Sequence, residues 1–140
     1  MLRIFIGCLL VPFFISCSSS QQEGIISNKL NKDSELTLLM RKMYNDADTI
    51  KQHIKAGTGT ITEEFIKELA YIHNATPSDP KLSNPTFTAF NNLILTEAKT
   101  LQTSSENKVE GFNELVNRCI DCHKTFCPGP ITRIKKLKIN

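Results

Sequence analysis

Residues 109–127 read VEGFNELVNRCIDCHKTFC, and this stretch decides the fold. Val109, Phe112, Val116, Cys119, His123 and Phe126 recur in steps of 3, 4, 3, 4 and 3. That is the stripe of an amphipathic helix with one face turned to a core. Cys127-Pro128-Gly129-Pro130 ends it, because proline cannot continue a helix. Cys119, Cys122 and His123 stand at i, i+3 and i+4, so their side chains share one helix face.

Three more helices precede it. The first should start at Asp33 or Ser34, both good N-caps, and stop at Gly57. Leu36, Met40, Met43, Ala47, Ile50 and Ile54 follow at steps of 4, 3, 4, 3 and 4, a bundle seam. The second helix follows Thr60 and Thr62, with Thr60 and Glu63 at capping-box spacing. It turns Phe65, Leu69 and Ile72 inward and ends near His73 or Asn74. A loop runs through Pro77, Pro80 and Pro85, with Asn84 capping a third helix that has Pro85 in its first position. Phe87, Phe90, Ile94, Ala98 and Leu101 line its inner side. A polar break at residues 103–106 leads to the fourth. No strand alternation or internal repeat is visible. The expected fold is all-α, an antiparallel up-down-up-down four-helix bundle.

The spelling Cys119-Ile120-Asp121-Cys122-His123 is the C-x-x-C-H pattern of covalent c-type haem attachment. Two thiols add across the vinyl groups of haem, and the adjacent imidazole takes the iron. The expected cofactor is one haem c, held by Cys119 and Cys122 with His123 as axial ligand. Met40 and Met43 lie on the seam of the first helix and would face it.

The N-terminus supports this reading. Arg3 precedes an apolar run from Ile4 to Ile15, the length of a signal-peptide core. A spanning helix needs about 20 apolar residues, so this run is too short. Phe14-Ile15-Ser16-Cys17 resembles a bacterial lipobox, with Cys17 the lipidated residue; a plain secretory signal is the alternative. The chain thus divides into a lipoprotein signal peptide (1–17), a flexible tether (18–32), a four-helix domain (33–127) and a basic C-terminal tail (128–140). Cysteine arithmetic agrees. Of five cysteines, Cys8 lies in the signal, Cys17 takes lipid, Cys119 and Cys122 take haem, and Cys127 has no partner for a disulfide. The net charge of +3 makes no case for nucleic-acid binding. Lys124, Arg133, Lys135, Lys136 and Lys138 form either a solvated tail or a patch that steers an acidic redox partner.

With these features the chain resembles the class II c-type cytochromes, the cytochrome c prime family, over roughly residues 33–127. The resemblance implies a haem built into the bundle, with its distal residue supplied by the first helix. Methionine-ligated members transfer electrons; members with an apolar distal residue bind small gases. Leu39-Met40-Arg41 is similar to the Leu-Met-Lys stretch of the methionine-ligated members. It implies Met40 as the sixth ligand, with Met43 the alternative one turn on. Leu36 stands where the family often has Arg, which leaves Arg41 as a substitute for the propionate contact.

The expected function is single-electron transport in the cell envelope, without enzymatic activity. The protein would be a periplasm-facing lipoprotein of the outer or inner membrane, anchored through Cys17 and exchanging electrons with envelope redox proteins; homodimerisation stays open. The alternative is a five-coordinate haem protein binding nitric oxide or carbon monoxide. A remote one is a structural zinc site from Cys119, Cys122, His123 and Cys127. Tyr44, beside Met43, borders either the haem or ordinary core. His53 and His73 are surface residues at helix ends, and the sequon Asn74-Ala75-Thr76 carries no weight behind a bacterial-type signal.

Overall fold

Local capping fixes where the helices begin. Ser34 Oγ accepts the Thr37 N–H (3.2 Å), which starts α1, Glu35–Lys55. The helix closes through Ala56 onto Gly57, whose φ of +72° is the left-handed conformation that favours glycine at a helix end. In α2, Glu63–Tyr71, Thr62 is the cap, accepting from Phe65 N–H (3.2 Å). The expected capping box from Thr60 does not form. Its hydroxyl donates to the Leu101 and Gln102 carbonyls (3.4 and 3.3 Å) at the end of the next helix, and Glu63 accepts from Gln102. Asn84 Oδ1 accepts from Phe87 N–H (3.0 Å) and Pro85 opens α3, Pro85–Thr103, as expected. A single 3-10 turn, Pro80–Leu82, precedes it. Asn107, at φ 54°, then leads into α4, Lys108–Phe126.

The computed structural model describes residues 33–140; the expected signal peptide, tether and lipidated Cys17 lie outside the described residues. Among the described residues every regular element is helical, so the fold is all-α. No helix among them is long and apolar enough to cross a membrane.

Neighbouring helices run antiparallel. The start of α1 meets the end of α2 where Glu35 accepts from Tyr71 Oη (2.6 Å) and from Thr76 N–H (2.9 Å). The Thr76 amide first, then the Tyr71 hydroxyl, hold the Glu35 carboxyl below its ordinary pKa. Further along, Lys42 reaches the buried Glu68 of α2. In α3 and α4, Phe87 and Phe90 near the start of one stack edge-on against Phe126 at the end of the other (centroids 5.3 and 5.7 Å). At the opposite end, a Cβ on Gly111 would meet the Leu101 side chain at 2.8 Å, so the glycine permits close approach. The core takes in the seam residues of α1 to α3, except that Met40 and Phe90 are only partly buried against it, together with Phe112 and Val116 among the buried residues of α4.

The seam of α4 is broader than the sequence spacing implies. Val109 is 42 % exposed, and Cys119, His123 and Phe126 are half-buried, whereas Leu115, Ile120 and Cys122 are buried. At 100° per residue, Leu115 and Cys122 lie toward Arg118, which faces Glu97 of α3 (3.9 Å). Ile120 lies toward Asn113 on the other flank.

That flank is covered by the C-terminal stretch. Residues 131–137 form a short helix, α5 (Ile131–Ile134), and a 3-10 turn (Lys135–Leu137). Ile134, Leu137 and Ile139 are buried while Lys135 and Lys136 stay exposed, so the basic tail is a packed segment with a charged outer side. The Asn113 side chain clamps Ile139, accepting its N–H (2.8 Å) and donating to its carbonyl (2.9 Å). On the α1 side, Lys51 donates to the Lys136 carbonyl (2.6 Å), and the Arg133 guanidinium lies 4.1 Å over the Tyr44 ring. The tail therefore bridges α4 and α1, and it gives Tyr44 a cationic neighbour.

Candidate functional site

The seam of α1 and the motif face of α4 meet at one cleft. Met40, Met43, Cys119, Cys122 and His123, the five residues expected from the sequence to surround a haem, line it. Leu69, Ile72, Phe87 and Ile94 complete apolar walls from α2 and α3, and its volume is about 40 Å³. Met43 and Cys122 are buried; Met40, Cys119 and His123 are half-buried. The one further polar residue in the lining is Asn91, only 1 % exposed. Its signal in the sequence is its register: 87, 91, 94, 98 and 101 step by 4, 3, 4 and 3, a cleaner seam than one through Phe90.

His123 is oriented by the end of its own helix. Its Nδ1 lies 2.9 Å from the Cys127 carbonyl oxygen, and a carbonyl only accepts, so Nδ1 carries the proton. The lone pair is then on Nε2. This is the arrangement of a metal-binding imidazole, with one nitrogen steered by a carbonyl and the other free to coordinate. The Cys127 N–H in turn bonds the His123 carbonyl (3.0 Å), closing the helix. Cys127 thus contributes its backbone; its thiol is exposed.

Burial pushes the Cys119 thiol up to about 12, with the neighbouring Cys122 adding to the rise, and burial pushes Cys122 up to about 11. Both are protonated at neutral pH, and both are free of disulfides, as is Cys127. Protonated, apolar-shielded thiols are poor ligands for a bare metal ion, which binds thiolate. Among the described residues no group of three or more His, Cys, Asp or Glu side chains is arranged to hold a metal ion. The zinc alternative from Cys119, Cys122, His123 and Cys127 is therefore not supported: Cys127 turns its carbonyl, not its sulfur, to His123.

Other expected residues lie elsewhere. Arg41 is engaged by Asp33 through its two terminal guanidinium nitrogens, on the exposed side of α1. Leu36 is buried. Tyr44 faces Arg133. His53 is exposed, and His73 is exposed with its Nδ1 3.2 Å from Asn91 Nδ2. Beside the cleft, an open groove of about 490 Å³ lies between the α2–α3 loop and α3, and Phe87 lines both spaces.

No protein-family model matches this chain, and neither does any curated protein or solved structure with which it was compared.

Proposed function

We propose that this chain is a monohaem c-type cytochrome of the cytochrome c prime kind, carrying single electrons in the bacterial cell envelope. In this reading α1 to α4 form the up-down-up-down bundle. Cys119 and Cys122 hold one haem c by thioethers, His123 takes one axial position through Nε2, and Met40 takes the other, with Met43 the alternative. Cys17 carries the lipid, and the partners are envelope redox proteins. The observation that carries the proposal is the convergence of Met40, Met43, Cys119, Cys122 and His123 on one apolar cleft.

The donor set fits the group. Two thiols free of disulfides, an imidazole with a free Nε2 and a methionine sulfur on the facing helix are the chemistry a covalently held, low-spin haem requires. The cleft is much smaller than the roughly 300–1,000 Å³ of ligand pockets, so taking up a macrocycle requires its walls to part. Phe87 is a wall shared with the adjoining groove.

Bound there, haem supplies a one-electron ferric/ferrous couple. The protein residues set how it is used. His123, steered by the Cys127 carbonyl, and a methionine sulfur would be the protein ligands to the iron, a pairing suited to electron transfer rather than substrate binding. Methionine in place of a second imidazole raises the reduction potential. Leu69, Ile72 and Ile94 exclude water and disfavour the extra charge of the oxidised state.

The test is production of the full chain in cells with working haem-maturation machinery, followed by haem staining of a denaturing gel and optical spectroscopy. The expected result is covalent haem that is lost in Cys119→Ser/Cys122→Ser, with a low-spin ferric spectrum bearing a sulfur-to-iron band that disappears in Met40→Leu. A colourless wild-type chain refutes the proposal. A high-spin spectrum that responds to carbon monoxide removes methionine ligation and leaves the gas-binding function instead.

A further inference from the structure

Asn91 is a polar side chain in an otherwise apolar wall. It is 1 % exposed, and its two amide ends have different surroundings. The Nδ2 end donates to Nδ1 of His73 (3.2 Å), a residue that lines the outer groove and not the cleft. The amide nitrogen can only donate, so His73 accepts at Nδ1 and carries its proton on Nε2. The Oδ1 end is buried and has no hydrogen-bond partner among the described residues. His73 thus holds the Nδ2 end, while Asn91 lines the same cleft as Cys119, Cys122 and His123 with its carbonyl oxygen bare.

We infer that Asn91 is an electrostatic tuning residue of the cleft, its bare carbonyl oxygen presenting partial negative charge to the metal centre and favouring the oxidised state. This rests on the haem reading above and adds a residue to it. A carbonyl dipole in apolar, water-free surroundings is weakly screened, so its sign is felt at the centre it faces. It opposes the effect of Leu69, Ile72 and Ile94, which disfavour positive charge. Burying an oxygen without a partner is unfavourable for the polypeptide alone, so a hydrocarbon of similar size would suit the empty fold at least as well.

The test is the midpoint potential of the holoprotein in wild type, Asn91→Leu and Asn91→Asp at pH 8, with the optical spectrum as a check on the axial ligands. Asn91→Leu should shift the potential upward, whereas Asn91→Asp, which keeps a carbonyl oxygen there, should leave it at or below the wild-type value, with the spectrum unchanged. A purely packing role would move both variants the same way or neither, and either result overturns the inference. The polypeptide made without haem gives a second readout. There Asn91→Leu should melt at or above the wild-type temperature; a clear drop would show that the amide is satisfied in the fold and would overturn the inference. Coloured wild-type protein with unshifted variants overturns this inference alone. A colourless wild-type chain overturns the haem reading, and this inference with it.

Discussion

Replacing Asn113 by Ala should loosen the C-terminal segment from α4, and the structure sets the size of the effect. The substitution removes two hydrogen bonds to Ile139, at 2.8 and 2.9 Å, and leaves the N–H and C=O of a residue that is 8 % exposed without their partner. Each bond contributes about 0.5–1.5 kcal/mol net, and a buried main-chain group left bare costs about 1–3 kcal/mol. Partial access of water to the freed segment keeps the total near 2–4 kcal/mol. For a domain of this size that lowers the melting temperature by roughly 10–20 °C. Asn113→Asp keeps the acceptor for the Ile139 N–H and loses only the donor, so it should show about half the loss. Thermal and urea unfolding followed by far-UV circular dichroism measure both. An Asn113→Ala chain that melts within about 3 °C of wild type would refute the claim that this clamp holds the segment.

Four other outcomes are expected. Thr62→Ala should cost about 1 kcal/mol and speed amide exchange at Phe65, the signature of a lost helix cap. Thr60→Ala should leave Phe65 exchange unchanged, because its hydroxyl serves the end of α3. Gly59→Ala should lower the urea midpoint, since the added Cβ would collide with the Cβ and carbonyl carbon of His53. In polypeptide made without haem, iodoacetamide at pH 8 should label Cys127 and spare Cys119 and Cys122, as mass spectrometry of the digest would show. The same thiols give an alkaline signature. Their folded pKa values, about 12 and about 11, lie above the ordinary 9.0, so the folded chain holds protons that the unfolded chain releases. Their stabilising contribution is complete below about pH 9 and is lost as pH rises toward 11 and 12. Cys119→Ala/Cys122→Ala should flatten that decline in a pH series of unfolding curves.

Where apolar spacing alone decides burial, the sequence was easy to read. The seam of α1 and the Asn84-Pro85 start of α3 appear in the structure as expected, because a cap and a regular apolar repeat are local signals. The convergence of Met40 and Met43 with Cys119, Cys122 and His123 was legible for the same reason: both sets lie on seams, and seams meet. The residues that escaped are those for which tertiary packing overrules polarity. Asn91 and Glu68 sit at core register but were passed over as polar, and they are buried only because His73 and Lys42 supply partners from outside the core. In the tail, Ile131, Ile134, Leu137 and Ile139 form an apolar row interleaved with lysines. The charge concealed the row, so the second buried flank of α4 went unseen. Likewise Thr60 and Glu63 had the spacing of a cap, yet the nearby carbonyls at the end of α3 compete for the hydroxyl.

The reach of the His123 imidazole to the Cys127 carbonyl makes the ring's bearing depend on the direction in which the backbone departs after the last helical residue of α4. A one-residue insertion or deletion within 128–130 would swing that oxygen aside while leaving Cys119, Cys122 and His123 untouched. The five-letter signature would then remain intact on paper with its imidazole misaimed. The turn through Pro128, Gly129 and Pro130 thus helps to aim the His123 ring through the backbone alone.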